Sequence, residues 1–294
     1  MEIIQSIHLL RSRLAELKQS SAAALKNISV GFVPTMGYLH KGHMSLVQAA
    51  REQCGIVVLS IFVNPLQFGP NEDFERYPRD TERDLKMAED AGVDVVFLPQ
   101  VEEMYPRRTK TTVLVSGVTS RLCGASRPGH FEGVATVVTK LFNIVKPDKA
   151  FFGLKDAQQV AVIQQMAADL NMDVEIVPCP ILREADGLAM SSRNVYLQPE
   201  ERRQALVLSQ ALRKASQWVA AHPTFSVNAL QNLVTDHIRT APLGTIDYVE
   251  VLSYPSLEPV REVPSPDADK IIIAVAVKFS KTRLIDNIII PVGV

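Results

Sequence analysis

Cysteine is scarce in this chain of 294 residues, which contains only Cys54, Cys123 and Cys179. Three cysteines so far apart form neither a disulfide framework nor a CxxC metal-binding motif. The sequence therefore excludes a disulfide-stapled protein and favours a reducing compartment, so we predict a cytoplasmic location.

Long apolar runs and a large net charge are also missing. The longest apolar stretches, such as Ile271–Val277, have the length of a strand, whereas a membrane-spanning helix needs roughly 20 residues. The N-terminal stretch MEIIQSIHLLRSRLAELKQ interleaves charged and apolar residues, which predicts an amphipathic helix and no signal peptide. With 31 Lys and Arg against 32 Asp and Glu, the formal net charge is −1, so the summed basic field that attracts nucleic acids or anionic membranes is absent. We predict neither as a partner, although this total is compatible with a local basic patch.

Short β-branched runs alternate with helical patterns over the first part of the chain, and the length suits about two domains. Apolar strands separated by helices predict an α/β fold with a Rossmann-like, doubly wound parallel sheet, in which ligands bind at the carboxyl ends of the strands. The predicted strands are Ile28–Pro34, Ile56–Val63, Val93–Leu98, Lys149–Phe152 and Val174–Val177, and the predicted helices are Gly42–Gln53, Asp80–Ala91, Gly133–Val145 and Ala157–Leu170.

The pattern changes near residue 180, where we place a boundary between a Rossmann-like domain at residues 1–180 and a smaller α+β domain at residues 181–294. A polar loop comes first, and the stretch Pro255–Asp269 is predicted to be an exposed loop because it is rich in Pro and Asp. The other predicted elements are helices at Pro199–Ala221 and Val227–Arg239 and strands at Thr245–Leu252, Ile271–Val277 and Leu284–Ile290.

The first candidate site is PTMGYLHKGH, at the point where a predicted strand leads into a helix. Gly37 and Gly42 allow close approach of a ligand, and the start of the helix offers unpaired N–H groups to an anion. His40 and His43 can add hydrogen bonds or positive charge to a phosphate. Neither a P-loop nor a GxGxxG motif is present, so nucleotide binding would use this turn. For an isolated pair of histidines, a metal pair or surface histidines is an equally good interpretation.

Other polar segments also fall at predicted strand ends or in loops. Asn64 and Gln67 supply carboxamides after the second strand, and Lys155 and Gln159 follow another strand. Met190–Arg193 joins two hydroxyls and a guanidinium on a loop that contains glycine, which suits a phosphate clamp. Taken singly, each is more typical of a helix cap or a solvated loop, but their common position at carboxyl ends favours a site.

These segments together resemble a known family. PTMGYLHKGH resembles the HxGH signature of the nucleotidylyltransferase superfamily, and the Ser-Ser-Arg loop resembles its KMSKS loop. With SIFVNPLQF, YPRD, RPGHFEGVATVV, FFGLKDAQQ and READGLAMSSRN, the order of motifs from Val33 to Leu197 is similar to that of the pantothenate synthetase (pantoate–β-alanine ligase) family. Thr282–Asn287 (TRLIDN) resembles the closing motif of the family, with Ser280 in place of its usual glycine.

The resemblance implies a ligase that forms a C–N bond. It would condense (R)-pantoate with β-alanine to give pantothenate, AMP and diphosphate, through an enzyme-bound pantoyl adenylate, in the pathway to vitamin B5 and coenzyme A. ATP as a substrate, Mg²⁺ and a homodimer are implied with it. The first domain would bind nucleotide and pantoate, and the C-terminal domain would act as a lid.

The resemblance also implies the site residues. His40, His43, Lys155 and Arg193 would be catalytic. Pantoate would be held by Met36, Asn64, Gln67 and Gln159, with Gln67 also facing β-alanine, and Asp84 would be a carboxylate associated with magnesium. Arg127 and His130 would contact the phosphates or orient the lid. ATP would be bound by Met36, Gly37, Tyr38, Leu39, His40, Lys41, Gly42, His43, Gly153, Leu154, Lys155, Asp156, Leu182, Met190, Ser191, Ser192 and Arg193.

Two alternatives remain at this point. Another adenylyl-transferring enzyme of the same fold, acting on a phosphorylated cofactor precursor, would explain the histidines but neither the carboxamides nor the extra C-terminal domain. A non-catalytic nucleotide-binding regulator would be expected to have lost one of the motifs, yet both histidines, Lys155 and Ser-Ser-Arg are present.

Overall fold

The structure is a computed structural model and describes residues 1–23, 29–70, 72–265 and 268–292. Among the described residues, every helix is too short or too polar to cross a lipid bilayer.

The chain forms two compact units. Unit 1 comprises Met1–Val115, Arg127–Leu154 and Val162–Pro180, and unit 2 comprises Ser116–Ser126, Lys155–Ala161 and Ile181–Val294. The assignment of domains to residues 1–180 and 181–294 stays a prediction.

Several helices begin at a residue whose side chain accepts a backbone N–H of the first turn, such as Asp80 and Ser226. Short 3₁₀ turns lie at Pro65–Gln67, Leu154–Asp156 and Ser192–Tyr196. In chain order, the helices are α1 (Ile7–Ala23), α2 (Lys41–Gln53), α3 (Thr81–Asp90), α4 (Val101–Met104), α5 (Cys123–Ser126), α6 (His130–Val145), α7 (Ala157–Asp169), α8 (Pro199–Gln204), α9 (Val207–Ala221) and α10 (Val227–Ile238).

Unit 1 is built on a parallel sheet. Its strands are β1 (Glu2–Ile4), β2 (Val30–Thr35), β3 (Ile56–Ile61), β4 (Val95–Phe97), β5 (Lys149–Gly153) and β6 (Glu175–Cys179). The strands lie in the order β1-β4-β3-β2-β5-β6, and every neighbouring pair is parallel. β3 is buried at each position and β2 at all but one, as expected for strands covered on both faces. The predicted doubly wound α/β fold is confirmed.

The prediction for the N-terminal stretch was wrong at its first residues. Glu2–Ile4 forms β1, which pairs with β4, and the helix begins only at Ile7. The N–H of Leu98 donates to the carbonyl of Ile4 at 2.9 Å. The edge of the sheet supplies backbone partners that the local pattern of these residues does not reveal. Ile28, the first residue of the strand predicted next, lies outside the described residues.

Unit 2 contains a three-stranded antiparallel sheet and a two-stranded ribbon. Its strands are β7 (Phe225–Ser226), β8 (Gly244–Ser253), β9 (Glu262–Val263), β10 (Lys270–Phe279) and β11 (Thr282–Pro291). β10 lies between β8 and β11, and each residue from Ile271 to Val277 is buried. Leu212 of α9 and Leu230 of α10 belong to the same apolar core. The C-terminal part is therefore the smaller α+β region that the sequence predicts.

The long helix predicted over Pro199–Ala221 is interrupted. α8 ends at Gln204 and α9 begins at Val207. Between them, the N–H of Leu208 donates to the carbonyl of Ala205 at 3.2 Å, three residues back and not four. This local 3₁₀-type hydrogen bond ends the first helix and starts the second.

The stretch Pro255–Asp269 is not simply an exposed loop. It contains β9, which pairs with β7, and it buries Leu257 and Val263. Two apolar residues within a segment rich in Pro and Asp are enough to attach part of it to the unit. Pro266 and Asp267 lie outside the described residues.

Candidate active site

The first predicted phosphate-binding segment is a tight turn at the carboxyl end of β2. Gly37 has a φ of +84°, and a Cβ at this position would lie 3.0 Å from Cγ2 of Ile61 and 3.1 Å from Oδ2 of Asp84. The left-handed backbone and the lack of space both require glycine. The Oγ1 of Thr35 accepts the N–H of Gly37 at 3.2 Å, which stabilises the turn where the strand ends.

Asp84, the predicted magnesium-associated residue, supports this turn. The residue is 1% exposed, and its two carboxylate oxygens accept the N–H groups of Tyr38 at 2.6 Å and Leu39 at 2.7 Å. Burial raises the pKa of Asp84, against the lowering effect of these two donors. The guanidinium of Arg83 lies 4.5 Å from the centroid of the Tyr38 ring. Both oxygens of Asp84 therefore shape the backbone of the turn.

His40 and His43 face each other at the start of α2. The Nδ1 of His40 accepts the N–H of Gly42 at 3.1 Å, and the Nδ1 of His43 accepts the N–H of His40 at 3.2 Å. The ring centroids are 4.0 Å apart. A neutral imidazole whose Nδ1 accepts a hydrogen bond carries its proton on Nε2. Both rings are therefore fixed as Nε2–H donors, next to the N-terminal amides of a helix, an arrangement that suits a phosphate.

A cavity of about 240 Å³ opens at the carboxyl ends of β2, β3 and β4. Its lining includes Met36, Gly37 and Tyr38 of the turn, together with Phe62 and Gln100. The cavity is somewhat smaller than the roughly 300–1,000 Å³ of typical ligand pockets. The turn predicted to bind ATP thus borders a space that is large enough for part of a small substrate.

Asn64 and Gln67, predicted to bind pantoate, lie in the 3₁₀ turn after β3. Asn64 is 1% exposed and donates from Nδ2 to Oε1 of Gln67 at 3.2 Å and to the carbonyl of Gly133 at 3.1 Å. Its Oδ1 accepts a backbone N–H of the same turn at 3.3 Å and the hydroxyl of Tyr105 at 2.8 Å. The Nε2 of Gln67 lies 3.0 Å from Sδ of Met36. Asn64 therefore orients Gln67, and Gln67 and Met36 lie together as predicted pantoate contacts.

Arg127 and His130 form a cluster with Glu72 beneath this turn. Arg127 donates two hydrogen bonds of 2.6 Å to Glu72. Burial alone would raise the pKa of Glu72, but the hydrogen bond and the charge of Arg127 outweigh it and hold the pKa below its ordinary value. Because Arg127 donates to Nε2 of His130 at 3.0 Å, the proton of the imidazole is on Nδ1, which donates to the carbonyl of Gln67 at 2.8 Å. The cluster thus holds the main chain at Gln67.

Lys155 follows β5 in a 3₁₀ turn and belongs to unit 2. Its Nζ lies 3.8 Å from Oδ1 of Asp156, and its side chain is 22% exposed. Gln159 is half-buried in the first turn of α7. Its neighbour Gln158 accepts the N–H of Cys123 at 2.9 Å and donates to two backbone carbonyls at 2.9 and 2.8 Å. Of the two adjacent glutamines, Gln158 is thus a structural residue and Gln159 remains the candidate for substrate binding.

The Ser191–Arg193 segment of unit 2 follows a hydrogen-bonded loop. The N–H of Met190 donates to the carbonyl of Leu182 at 3.0 Å and closes the base of the loop. The Oγ of Ser191 accepts the N–H of Arg193 at 3.3 Å, which starts the 3₁₀ turn, and Ser192 is buried. The segment predicted to clamp phosphate therefore leads into a 3₁₀ turn and follows a loop that a backbone hydrogen bond closes.

Several residues that support the candidates received no role from sequence reasoning. Tyr105 contacts Asn64 across 41 residues, a pairing that no local pattern signals. Asp286 and Asn287 contact the loop and the lysine turn of unit 2, and the only signal for them was their place in the TRLIDN motif. Among the described residues, no group of three or more His, Cys, Asp or Glu is placed to hold a metal ion.

Comparison with known proteins identifies the family. The model of the Pantoate-beta-alanine ligase family matches residues 2–289. The chain belongs to this family. It is 60% identical over 268 residues to a pantothenate synthetase of Pelotomaculum thermopropionicum, which covers 91% of this chain and 93% of the relative. Family membership confirms the resemblance drawn from the motifs and makes the chain a ligase.

Solved structures agree with this family. The pantothenate synthetase of Thermus thermophilus aligns over 100% of both chains with 46% identity and a TM-score of 0.88. A pantoate-β-alanine ligase of Francisella tularensis, complexed with beta-gamma ATP and β-alanine, has 32% identity and a TM-score of 0.78 over 98% of this chain and 97% of that one. The Rossmann-like sheet and the antiparallel C-terminal sheet are therefore those of known ligases of the family.

Proposed function

We propose that this ligase condenses pantoate with β-alanine at the expense of ATP, releasing AMP and diphosphate, and that the residues named from the motifs carry out the reaction. The observation that carries the proposal is the pair of Nε2–H histidine donors at the start of α2. In a chain of the pantoate–β-alanine ligase family, these donors suit the triphosphate that must be cleaved. ATP and β-alanine are also the ligands named for the Francisella tularensis relative.

The first half-reaction brings two anions together. A carboxylate oxygen of pantoate attacks the α-phosphorus, the bond from that phosphorus to the bridging oxygen breaks, and diphosphate leaves with the electron pair. His40, His43 and the amides of α2 donate hydrogen bonds to the phosphates, and Lys155 and Arg193 supply positive charge. No enzyme nucleophile is needed, so catalysis consists of positioning and electrostatic stabilisation, for which well-oriented groups contribute roughly 7–11 kcal/mol.

In the second half-reaction, the amine of β-alanine attacks the acyl carbon of pantoyl adenylate. The bond from this carbon to the phosphate oxygen of AMP breaks, AMP leaves with the electron pair, and the amine nitrogen releases a proton to water as the amide forms. We assign pantoate to Met36, Gln67 and Gln159, with Asn64 acting through Gln67 because its amide is occupied by the four bonds described above. Gln67 is also our candidate for contact with β-alanine.

Magnesium enters this proposal with the nucleotide. Both oxygens of Asp84 accept backbone N–H groups, and the described residues hold no cluster of three or more potential ligands. These residues do not fit a protein-built magnesium cage, whereas phosphate oxygens bind Mg²⁺ readily. We therefore propose that Mg·ATP is the substrate and that the protein supplies the donors around its phosphates.

One assay tests the function. The protein is mixed with ATP and Mg²⁺, and diphosphate and AMP are followed as pantoate and then β-alanine are added. We expect diphosphate release only after pantoate and AMP release only after β-alanine. Diphosphate release that is independent of pantoate would indicate a different adenylyl-transferring enzyme, and an absence of any ATP turnover would indicate a nucleotide-binding regulator.

A homodimer and a cytoplasmic location belong to the proposal as well. Closed twofold dimers are the commonest homo-oligomers, and the family resemblance implies the same state. Light scattering on the purified chain should give twice the mass of one chain, and a monomer at assay concentrations would contradict the dimer. Fractionation of cells should recover the enzyme with the cytoplasmic proteins.

A further inference from the structure

Asp286 and Asn287 lie side by side in β11, far along the sequence from the residues that they contact. Both are almost fully buried, at 3% and 5% exposure. A buried carboxylate and a buried carboxamide require hydrogen-bond partners, because an unpaired buried polar group costs about 1–3 kcal/mol. Their partners therefore show what these two side chains do.

Asn287 is bound to the turn that carries Lys155. Its Nδ2 donates to the backbone carbonyl of Lys155 at 3.0 Å, across 132 residues of sequence. Lys155 lies in a single 3₁₀ turn of three residues between β5 and α7, where hydrogen-bond geometry is poorer than in an α-helix. The bond from Asn287 therefore limits where the main chain of Lys155, and hence its ammonium group, can lie.

Asp286 is bound to the loop that carries Ser191–Arg193. Its carboxylate accepts hydrogen bonds from both terminal nitrogens of Arg183, at 2.6 and 3.0 Å. Arg183 also donates to the carbonyl of Gly187 at 3.2 Å, within the same loop. A bidentate pair between a planar guanidinium and a buried carboxylate fixes orientation as well as distance.

The two side chains are also linked to each other. The N–H of Asn287 donates to Oδ1 of Asp286 at 2.8 Å, so the carboxylate that holds Arg183 is oriented by the residue that holds Lys155. Asp286 and Asn287 pair in register with Val275 and Ala274 of the buried strand β10, which gives them a rigid base.

We propose that Asp286 and Asn287 are positioning residues for the two cationic segments of unit 2: Asn287 positions Lys155, and Asp286 positions the loop of Ser191–Arg193 through Arg183. The proposal rests on the proposed function only in assigning these segments to the phosphates of ATP. Neither residue needs to contact a substrate.

The test uses Asn287→Asp, which has the same shape but replaces the donor Nδ2 with an acceptor oxygen. We expect diphosphate release in the first half-reaction to slow by about 10-fold to 100-fold, since misplacing a group by about 1 Å can cost 100-fold. Asn143→Ala is the control, because the Nδ2 of Asn143 also donates to a backbone carbonyl, at 2.9 Å, but from an exposed position on α6. The control should match the wild type.

A double-mutant cycle with Lys155→Ala separates positioning from general damage. If Asn287 acts through Lys155, adding Asn287→Asp to Lys155→Ala should slow the reaction by less than about threefold. An equal effect of Asn287→Asp with and without Lys155 would overturn the proposal. Asn287→Ala, run in the same cycle, gives the answer if the aspartate variant does not fold.

The second arm uses Arg183→Lys, which keeps the positive charge but loses the bidentate geometry. We expect Arg183→Lys to slow diphosphate release, and to slow it less when Arg193→Ala is already present. Additive effects would overturn the role of Asp286.

Calorimetric titration with ATP provides a readout that does not require pantoate turnover. Asn287→Asp should weaken ATP binding in the wild-type background and leave it unchanged in the Lys155→Ala background. If the variants show this coupling in ATP binding but the wild type does not respond to pantoate, the proposed function is contradicted and the positioning proposal stands. Equal weakening in both backgrounds would contradict the positioning proposal alone.

Discussion

The two groups of candidate phosphate-binding residues are held in different ways. In unit 1, His40 and His43 are oriented by backbone N–H groups two and three residues away. In unit 2, the backbone of Lys155 and the loop of Arg193 are held by one strand, across separations of 132 and 103 residues. The first group is mostly formed by its own segment, with Asp84 as a distant support, whereas the second depends on the end of the chain.

The groups also differ in what they offer to a substrate. In the proposed function, the histidines of unit 1 act as N–H donors next to a helix N-terminus, while unit 2 contributes the cations Lys155 and Arg193. A substitution in unit 1 should therefore test hydrogen bonding, and one in unit 2 should test charge and its placement.

The largest effect is expected from His43. His43→Ala should lower the rate of adenylate formation by about 100-fold to 1,000-fold, the usual cost of losing one donor to a developing charge. His43→Asn is the informative companion, because its Oδ1 can still accept the N–H of His40 while the Nε2–H donor is lost. Rapid-quench measurement of diphosphate release checks both variants.

We expect His43→Asn to be as slow as His43→Ala, and His43→Asn to keep the melting temperature of the wild type because it retains the acceptor for the N–H of His40. His8→Ala, at an exposed position on α1, serves as the control and should be fully active. Recovery of near-normal rates in His43→Asn would show that His43 only caps the helix, and the contrast between the two units would then be lost.

Lys155→Ala comes next. Loss of its ammonium should raise KM for ATP and lower kcat, together by about 100-fold in kcat/KM, because no other group replaces the charge at this point of the turn. Steady-state kinetics with varied ATP measures both constants. Lys149→Ala, at the start of β5, removes a lysine paired with Glu175 at 2.9 Å and is the matched control. If both constants stay at wild-type values, Lys155 is only a solvated lysine.

Asp84→Asn should have an intermediate effect. An asparagine has one acceptor oxygen, so either Tyr38 or Leu39 would lose its partner, at a cost of about 1–3 kcal/mol. We expect KM for ATP to rise about tenfold at every magnesium concentration, measured by the same steady-state assay. Recovery at high Mg²⁺ would instead support the role as a metal-associated residue and weaken the assignment of Asp84 to the turn.

The smallest effect is expected on stability, from Glu72→Gln. The Glu72 and Arg127 side chains are 24% and 19% exposed, so loss of this partly buried pair should cost about 1–2 kcal/mol at neutral pH. In the folded state, the pKa of Glu72 lies below its ordinary value of 4.5. The ionised Glu72 side chain therefore contributes its full stabilisation above about pH 4.5 and loses it as the pH falls through the pKa of the folded state. Urea unfolding at several pH values measures this contribution.

The difference in stability between Glu72→Gln and the wild type should therefore narrow as the medium is acidified below the ordinary carboxyl range. Glu200→Gln, in an exposed i,i+3 pair with Arg203, is the control and should change stability little at any pH. A difference that is constant with pH would contradict the role of the ion pair.

The parts of the molecule that depend on local pattern were predictable. The buried strands β2, β3 and β5, the start of α2 and the positions of Lys155 and Ser191–Arg193 at strand ends or in a loop all follow from periodicity, glycine and the motifs. The pairing of Glu2–Ile4 with β4 could not be predicted because the partner strand lies far along the chain. The break between α8 and α9 could not be predicted because the apolar periodicity of Pro199–Ala221 does not signal the local hydrogen bond between Leu208 and Ala205.

The same limit applies inside the site. The histidine motif can be recognised in ten residues, but which ring nitrogen carries the proton follows only from the positions of the surrounding N–H groups. Asn64 was predicted to bind substrate, and its amide proves to be occupied by Tyr105, Gln67 and two backbone groups. The type of a residue suggests a role, but a buried polar side chain needs hydrogen-bond partners, and those partners decide which role it takes.

The order of residues was sufficient to indicate the family, the doubly wound sheet and the chemistry of a ligase, because these rest on short motifs and on the periodicity of apolar residues. Folding in three dimensions added the tautomers of His40 and His43, the support of the turn by Asp84 and the attachment of Lys155 and Arg183 to β11. These features arise because buried polar groups must be paired, and their partners come from segments far apart along the chain.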